Sequence, residues 1–299
     1  MQLARTIALL LLAICAGLLW LGWCAYGVSW KALLVLVLGL IGLVTLVVGV
    51  TFAIAGANAS PRPPQFRLSV LQSLRLWMRE AFESGVLFCW GLLKGSAGIA
   101  GMAAPQTSSP HAPVLLIHGY INNDAAMHPL WKRLSDAGFQ AFTQTMEPFL
   151  GGIDEYMEAI EARINLILAA TGASQINVVV HSMGGLAMRA WAQRYAPAGD
   201  TRIGTLVTLG TPHHGTALAH YGPGRNALQM RLDSPWHAAL PDATALPFRV
   251  VSIMTYDDNI VAPQSSSVLA GAKLVEFAGI GHLTLLIDAR VFAAIRAEL

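Results

Sequence analysis

Uninterrupted apolar positions dominate the N-terminal segment of the chain, and this pattern predicts membrane-spanning helices. Ile7–Tyr26 is nearly all apolar, and Ala32–Ala55 is a second run of similar length. The only charged side chain from the start of the first run to the end of the second is Lys31. A helix that crosses a bilayer needs roughly 20 apolar residues, so each run is long enough. We therefore predict two transmembrane helices within residues 1–57, joined by a short loop with Trp30 at the membrane interface.

Two other interpretations of these runs are open. Core helices of a soluble protein are also apolar, although two uncharged runs of this length are unusual for a core. A cleaved signal peptide would end near the sequence ANAS at Ala57–Ser60, which has an A-x-A character. The apolar region of a signal peptide is only about 7–15 residues long, whereas here two long runs precede the site.

The segment after the apolar runs predicts an amphipathic helix. A Pro-rich break, NASPRPP, is followed over residues 65–95 by apolar residues at helical spacing with arginines between them. We expect this helix to lie on the membrane surface, and packing on the next domain is the alternative. Residues 95–113 are rich in Gly, Ala, Ser and Pro, which is typical of a linker. Residues 58–111 are therefore assigned as a connection.

From Val114 onwards, short apolar segments alternate with amphipathic ones. The apolar segments are VLLIHG, FQAFTQTM, INVVV, IGTLVTLG, FRVVSIM and KLVEFAG, and they predict strands. Helical patterns lie between them over residues 127–137, 152–171 and 184–195, and the chain ends in LLIDARVFAAIRAEL. Alternation with apolar strands predicts an α/β fold with a mostly parallel sheet covered by helices on both faces. We assign residues 112–299 to this domain.

Composition and charge narrow the classes of partner. The chain has 299 residues, of which 55% are hydrophobic and only 12% are charged, with a formal net charge of +2. This balance, without a basic stripe in the α/β domain, argues against a nucleic-acid partner. The cysteines are Cys15, Cys24 and Cys89, all before the α/β domain, and no Cys/His spacing resembles a zinc site. We expect no cofactor.

A serine stands where the strand INVVV ends, in the sequence VVVHSMGGL at residues 178–186. A serine before a helix is often only a helix cap. A cap does not need the two glycines that follow, however, and a tight strand-to-helix turn is where a nucleophilic serine is presented. A serine hydroxyl is a weak nucleophile that needs an adjacent base. We predict that Ser182 is a nucleophile.

The motifs IHGY, VHSMGG, LGTPHHGT, YDDNIVAP and GIGHLTLL occur in this order along the chain. Together they resemble the bacterial triacylglycerol lipase and esterase branch of the α/β-hydrolase family, over roughly residues 112–299. The resemblance implies the α/β-hydrolase fold and a Ser–Asp–His triad that hydrolyses carboxylic esters. The sequence departs from the usual G-x-S-x-G turn in one place, because Val180 occupies the first glycine position.

The resemblance also implies roles for further residues. His282, one of nine histidines, follows the last predicted strand and is the candidate base. The acid precedes a valine by three positions in the family, and Asp258 fits this spacing, with the adjacent Asp257 as the alternative. The backbone N–H groups of Tyr120 and Met183 are the implied oxyanion donors. Some related lipases hold structural calcium, which the sequence leaves open.

The connection between Thr216 and Pro247 is long for a compact α/β fold. Its apolar side chains, among them Met230 and Trp236, suggest either a lid and acyl-chain wall or a packed helical excursion. We take Met230 and Trp236 as candidate substrate-binding residues.

These observations predict a membrane-anchored serine carboxylester hydrolase that acts on lipid-like esters through an acyl-enzyme. An acyltransferase with the same triad and a non-catalytic membrane-bound binding module are the alternatives. The expected partners are an ester substrate and the membrane. Arginines cluster after the second apolar run, at Arg62, Arg67, Arg75 and Arg79. Since positive charge favours the cytoplasmic side, we expect a bacterial inner-membrane protein with its catalytic domain facing the cytoplasm.

Overall fold

The computed structural model describes Trp20, Gly27, residues 30–87 and residues 110–299. The first predicted transmembrane helix, Ile7–Tyr26, lies outside the described residues apart from Trp20. The segment predicted as the second is helical and belongs to helix α1, Trp30–Ala57. The segment Leu34–Ala57 of α1 has a mean hydropathy of 2.8. In the described part of the chain, α1 is the one helix that is long and apolar enough to cross a membrane.

Helix α2, Val70–Val86, follows α1 after an extended connection. It begins later than the predicted segment, because Ser69 caps it: the Ser69 hydroxyl accepts the Gln72 N–H, and the Gln72 side chain accepts the Ser69 N–H. The rest of that segment from residue 88, and the predicted linker up to residue 109, lie outside the described residues. The Trp77 indole Nε1 donates to the Thr45 carbonyl of α1 at 3.1 Å, and it lies against Gly49, where a Cβ would be 3.3 Å away. The two helices therefore pack directly on each other and form what we call the N-terminal hairpin.

A six-stranded, all-parallel sheet forms the centre of the remaining chain, in the order β2-β1-β3-β4-β5-β6. Its strands are β1 Val114–Ile117, β2 Ala141–Gln144, β3 Ile176–His181, β4 Ile203–Leu209, β5 Arg249–Thr255 and β6 Lys273–Phe277. The helices are α3 His128–Asp136, α4 Met157–Thr171, α5 Met183–Tyr195, α6 Arg225–Gln229, α7 Pro235–Ala238 and α8 Ala289–Glu298. The predicted parallel sheet is confirmed.

Alternate residues of the central strands point into two separate cores, one on each face of the sheet. Ile117 and Val180 join a core with side chains of α4 and α5, whereas Leu116 and Val179 join a core with side chains of α3 and α8. Strand order reverses between β1 and β3, because β1 pairs with β2 on one side and β3 on the other. Open parallel sheets bind ligands beside the carboxyl ends of the strands at such a reversal. We therefore expect a ligand site at the residues after β1 and β3.

The connection between α1 and α2 is attached to the α/β domain. Arg62 forms an ion pair with Asp257 at 2.7 Å, and the ring of Phe66 stacks on that of Tyr256 with centroids 4.8 Å apart. The buried face of α2 also packs on the domain, through residues that include Glu80. The N-terminal hairpin is therefore part of the same packed structure as the sheet.

Candidate active site

Ser182 follows β3 at the carboxyl end of the sheet and begins α5 with φ 55° and ψ −125°. A residue other than glycine rarely adopts a positive φ, and such strain is typical of functional sites. Its hydroxyl makes no capping hydrogen bond to α5, so the interpretation of Ser182 as a plain helix cap is wrong. The strained turn instead projects this side chain beyond the edge of the sheet.

Close packing around the turn explains its glycines and the unusual Val180. A Cβ at Gly119 would lie 2.7 Å from Ser182 Cβ, and one at Gly184 would lie 2.8 Å from the His118 carbonyl oxygen and 3.3 Å from Val180 Cβ. Because Gly184 has no side chain, the branched Val180 fits where the family pattern has glycine.

His282 lies after β6, at the start of a short 3-10 turn, Leu283–Leu286. Its Nδ1 is 2.8 Å from Asp258 Oδ2, and both side chains are buried. The second oxygen, Oδ1, accepts the N–H groups of Ile260 and Val261 at 2.9 and 2.7 Å, so this carboxylate is fixed on both sides. The structure thus brings the predicted base and acid together.

Asp257, the alternative acid, points elsewhere. Its carboxylate accepts the Gly279 N–H at 2.7 Å and pairs with Arg62. The geometry therefore favours Asp258 as the partner of His282.

The electrostatic surroundings of His282 favour its protonated form. Burial lowers the pKa of this imidazole, but the charge of Asp258, the hydrogen bond to it and the charge of Glu80 outweigh burial and raise the pKa above its usual value. A base that receives a proton from serine benefits from such stabilisation of its cation.

Glu80 of α2 is a residue that sequence reasoning missed. It is completely buried, and its two oxygens accept the N–H groups of Leu283 and Thr284 at 2.6 and 3.1 Å, immediately after His282. Burial raises the pKa of Glu80, although these hydrogen bonds and the charge of His282 act in the opposite direction. Gly281 has no room for a Cβ beside this carboxylate. The sequence signal was the small residues Ala81, Ser84 and Gly85, which recur on one side of α2 and mark a tightly packed face without naming its partner.

Asn259 is a second residue that the sequence did not single out. Its Oδ1 accepts the N–H of His282 at 3.1 Å, and its Nδ2 donates to Thr51 Oγ1 of α1 at 2.8 Å. Helix α2 therefore contacts the loop that carries His282 directly, and α1 is connected to it through Asn259.

The N–H groups predicted as oxyanion donors lie in the loop after β1, at Tyr120, and at the first residue of α5, Met183. In the described part of the chain, the backbone N–H groups of Tyr120 and Met183 have no protein acceptor, as a free donor pair requires. The next residue, Ile121, has φ 48°, which is rare for a β-branched side chain. His118 supports the loop: Nδ1 bonds the Gly119 carbonyl oxygen and Nε2 accepts the Met146 N–H. Burial lowers the pKa of His118 to about 4, which keeps the ring neutral.

Ser182 and His282 line one cavity of about 520 Å³. The opposite wall comes from the N-terminal hairpin rather than from the α/β domain. The wall residues are Leu43, Val44, Val47, Val48 and Thr51 of α1, and Glu80, Ser84 and Gly85 of α2. In the described residues no cluster of His, Cys, Asp or Glu is arranged to hold a metal ion.

Met230 and Trp236 were the candidate substrate-binding residues. Neither is among the described residues that line this cavity. Met230 is buried in the core beside α5, and the Trp236 indole Nε1 donates to the Asp154 carboxylate at 2.9 Å. Both side chains contribute to packing of the long connection here, and their role in substrate binding stays a prediction.

Comparison with known proteins agrees with this fold. Residues 112–236 match the alpha/beta hydrolase fold family. This range contains Ser182, Tyr120 and Met183, while Asp258 and His282 lie beyond it. The triacylglycerol lipase of Burkholderia plantarii is 30% identical over 143 residues, which are 43% of this chain and 39% of that protein. The triacylglycerol lipase of Pseudarthrobacter phenanthrenivorans is 31% identical over 117 residues, 36% of this chain and 35% of that protein.

Solved structures share the fold at low sequence identity. Lipase BlEst2 of Bacillus licheniformis, in its mature form, has a TM-score of 0.52 and 14% identity over 64% of this chain and 94% of that chain. Lipase B of Aspergillus fumigatus has a TM-score of 0.51 and 19% identity over 61% of this chain and 51% of that chain. The α/β domain thus has the alpha/beta hydrolase fold, and the comparisons support the lipase and esterase type. The matched segments span less than half of the two curated lipases.

Proposed function

We propose that the protein is a membrane-anchored serine carboxylester hydrolase that acts on lipid-like esters. The observation that carries the proposal is that Ser182, on a strained turn, and His282, which is bonded to the buried Asp258, line one cavity. The lipase relatives support the same type of chemistry.

The reaction follows from this arrangement. Because Nδ1 of His282 is bonded to Asp258, Nε2 is the nitrogen that takes the proton of the Ser182 hydroxyl as Oγ attacks the ester carbonyl. The N–H groups of Tyr120 and Met183 stabilise the negative oxygen. His282 then gives the proton to the departing alcohol, which leaves Ser182 acylated. Water, deprotonated by His282, releases the carboxylic acid and restores the serine.

Exposed apolar surface supports the membrane anchor. Ten large apolar side chains of α1 are exposed: Leu34, Val35, Val37, Leu38, Leu40, Ile41, Leu43, Leu46, Val47 and Val50. Helix α2 adds an exposed apolar stripe of Val70, Leu71, Leu74, Met78, Phe82 and Val86. Continuous apolar surface of this extent marks a membrane or protein interface, and a helix that is apolar all round is typical of a bilayer span.

The arginines after α1 support a cytoplasmic catalytic domain by the positive-inside rule, although Arg62 and Arg79 also form ion pairs with Asp257 and Asp288. A reporter fused after Leu299 tests the proposed orientation in the membrane. We expect fluorescence from a reporter that matures only in the cytoplasm. Alkaline phosphatase activity from the same fusion point would reverse the orientation.

The chemistry is tested with Ser182→Ala in the full-length protein. We expect loss of fluorophosphonate labelling and a fall of at least about 10³-fold in hydrolysis of p-nitrophenyl esters. Ser135→Ala, in α3 and outside the cavity lining, is the matched control and should behave as wild type. Undiminished labelling of the Ser182 variant would refute the assignment of the nucleophile.

A further inference from the structure

The wall of the cavity opposite Ser182 belongs to the same helix that is apolar enough to span a membrane. The lining side chains Leu43, Val44, Val47 and Val48 recur on one face of α1. Leu43 and Val47 are more than half exposed, whereas Val48 is buried. The first two therefore lie at the mouth of the cavity, and the wall becomes more enclosed towards Val48.

The position of α1 relative to the α/β domain determines how deep the cavity mouth would lie in a bilayer. Thr51 contacts Asn259, in the loop after β5 that carries Asp258. The helix extends from there to Leu34 by about 25 Å, at about 1.5 Å per residue. This length approaches the roughly 30 Å of a bilayer hydrocarbon core. Val47 and Leu43 are about 6 and 12 Å from Thr51 along the axis. If Leu34–Thr51 crosses the hydrocarbon, the cavity mouth lies within or directly beside it.

The groups that would act on an ester carbonyl lie on the side of the cavity away from Leu43 and Val47. Ser182, His282, Asn259 and the free N–H of Tyr120 lie on the side of the α/β domain. An ester with a long acyl chain matches this division, since its carbonyl needs the polar end and its chain gains from apolar contact. A small water-soluble ester would leave the wall of α1 without a function.

We propose that α1 is the acyl-chain wall of the active site, and that the substrate is a membrane lipid ester whose chain enters sideways from the bilayer along α1. The ester group then reaches Ser182 while the tail lies against Leu43, Val44, Val47 and Val48. This inference rests on the proposed hydrolase function and adds the origin and orientation of its substrate.

The test uses full-length protein in phosphatidylcholine vesicles, with esters of short and long acyl chains. Val44→Trp fills the wall and should lower kcat/KM for a long-chain ester by at least about 10-fold relative to an acetate ester, as expected when a hydrophobic pocket is obstructed. Leu46→Trp introduces the same side chain on α1 outside the cavity lining and should leave this ratio unchanged. Labelling of Ser182 by a short-chain fluorophosphonate is followed in every variant.

A second variant covers the case in which Val44→Trp does not fold. Val47→Ser makes the exposed mouth polar and should reduce only long-chain turnover, with Leu46→Ser as its control. A variant that labels normally but keeps the wild-type ratio of long-chain to acetate turnover would overturn the acyl wall and leave the hydrolase assignment intact. Fluorophosphonate labelling that does not depend on Ser182 would instead refute the proposed hydrolase function.

Discussion

Replacing Glu80 with Gln tests whether the N-terminal hairpin holds the catalytic histidine in position. The carboxylate accepts two backbone N–H groups, from Leu283 and Thr284, in a fully buried site. A glutamine has only one oxygen and turns its NH₂ group towards the other donor. A buried donor left without a partner costs about 1–3 kcal/mol. If the histidine loop relaxes to avoid that cost, kcat should fall by about 10- to 100-fold, with KM little changed.

The pH profile separates positioning from general destabilisation. His282 must be neutral to accept the serine proton, so activity is lost as pH falls through its pKa. The charge of Glu80 contributes to the raised pKa of His282. Removing that charge lowers the pKa, and the acidic limb of the kcat/KM profile should therefore move to lower pH. Glu80→Asp keeps the charge and should retain more of the wild-type limb.

The assay is hydrolysis of a p-nitrophenyl ester between acidic and neutral pH, with thermal unfolding measured in parallel. Glu83→Gln, the same substitution one helical turn later on α2, is the matched control and should leave kcat and the acidic limb unchanged. Wild-type kcat and an unshifted limb in Glu80→Gln would refute the reasoning. If kcat falls only to the extent that the unfolding temperature falls, Glu80 is a purely structural residue.

Two further substitutions test assignments made at the site. Asp258→Asn should reduce turnover far more than Asp257→Asn, because only Asp258 bonds the His282 ring; the reverse order of kcat losses would exchange their roles. Trp236→Ala should lower the unfolding temperature but reduce acetate and long-chain ester hydrolysis equally, since Trp236 lies outside the described lining of the cavity. A selective long-chain loss would return it to the substrate site.

The sequence predicted the sheet and the position of Ser182 because both depend on local patterns. Short apolar segments define β1 and β3, and the two glycines after Ser182 reveal a turn that a plain cap would not need. The preference for Asp258 over Asp257 came from spacing to Val261, and the structure gives that spacing a physical basis, since Asp258 Oδ1 accepts the Val261 N–H.

The residues that the sequence did not reveal act through contacts between distant parts of the chain. Glu80 bonds Leu283, 203 residues away, and no periodicity within α2 indicates such a partner. An apolar helix has the same composition whether a given side chain faces lipid or a cavity, so Val44 could not be distinguished from Leu46. Apolar side chains in a long connection are equally ambiguous, and Trp236 was assigned to substrate for that reason.

The contacts of Thr51, Arg62 and Glu80 with the α/β domain have a consequence for how the protein could be regulated. A fragment released by cleavage between the hairpin and the α/β domain would lose the acceptors for Leu283 and Thr284, unless the hairpin stayed bound. Asn259 would lose its Thr51 partner, and the active-site serine would face open water. Under the proposed function, separating the α/β domain from the hairpin would therefore switch ester cleavage off rather than release an active fragment.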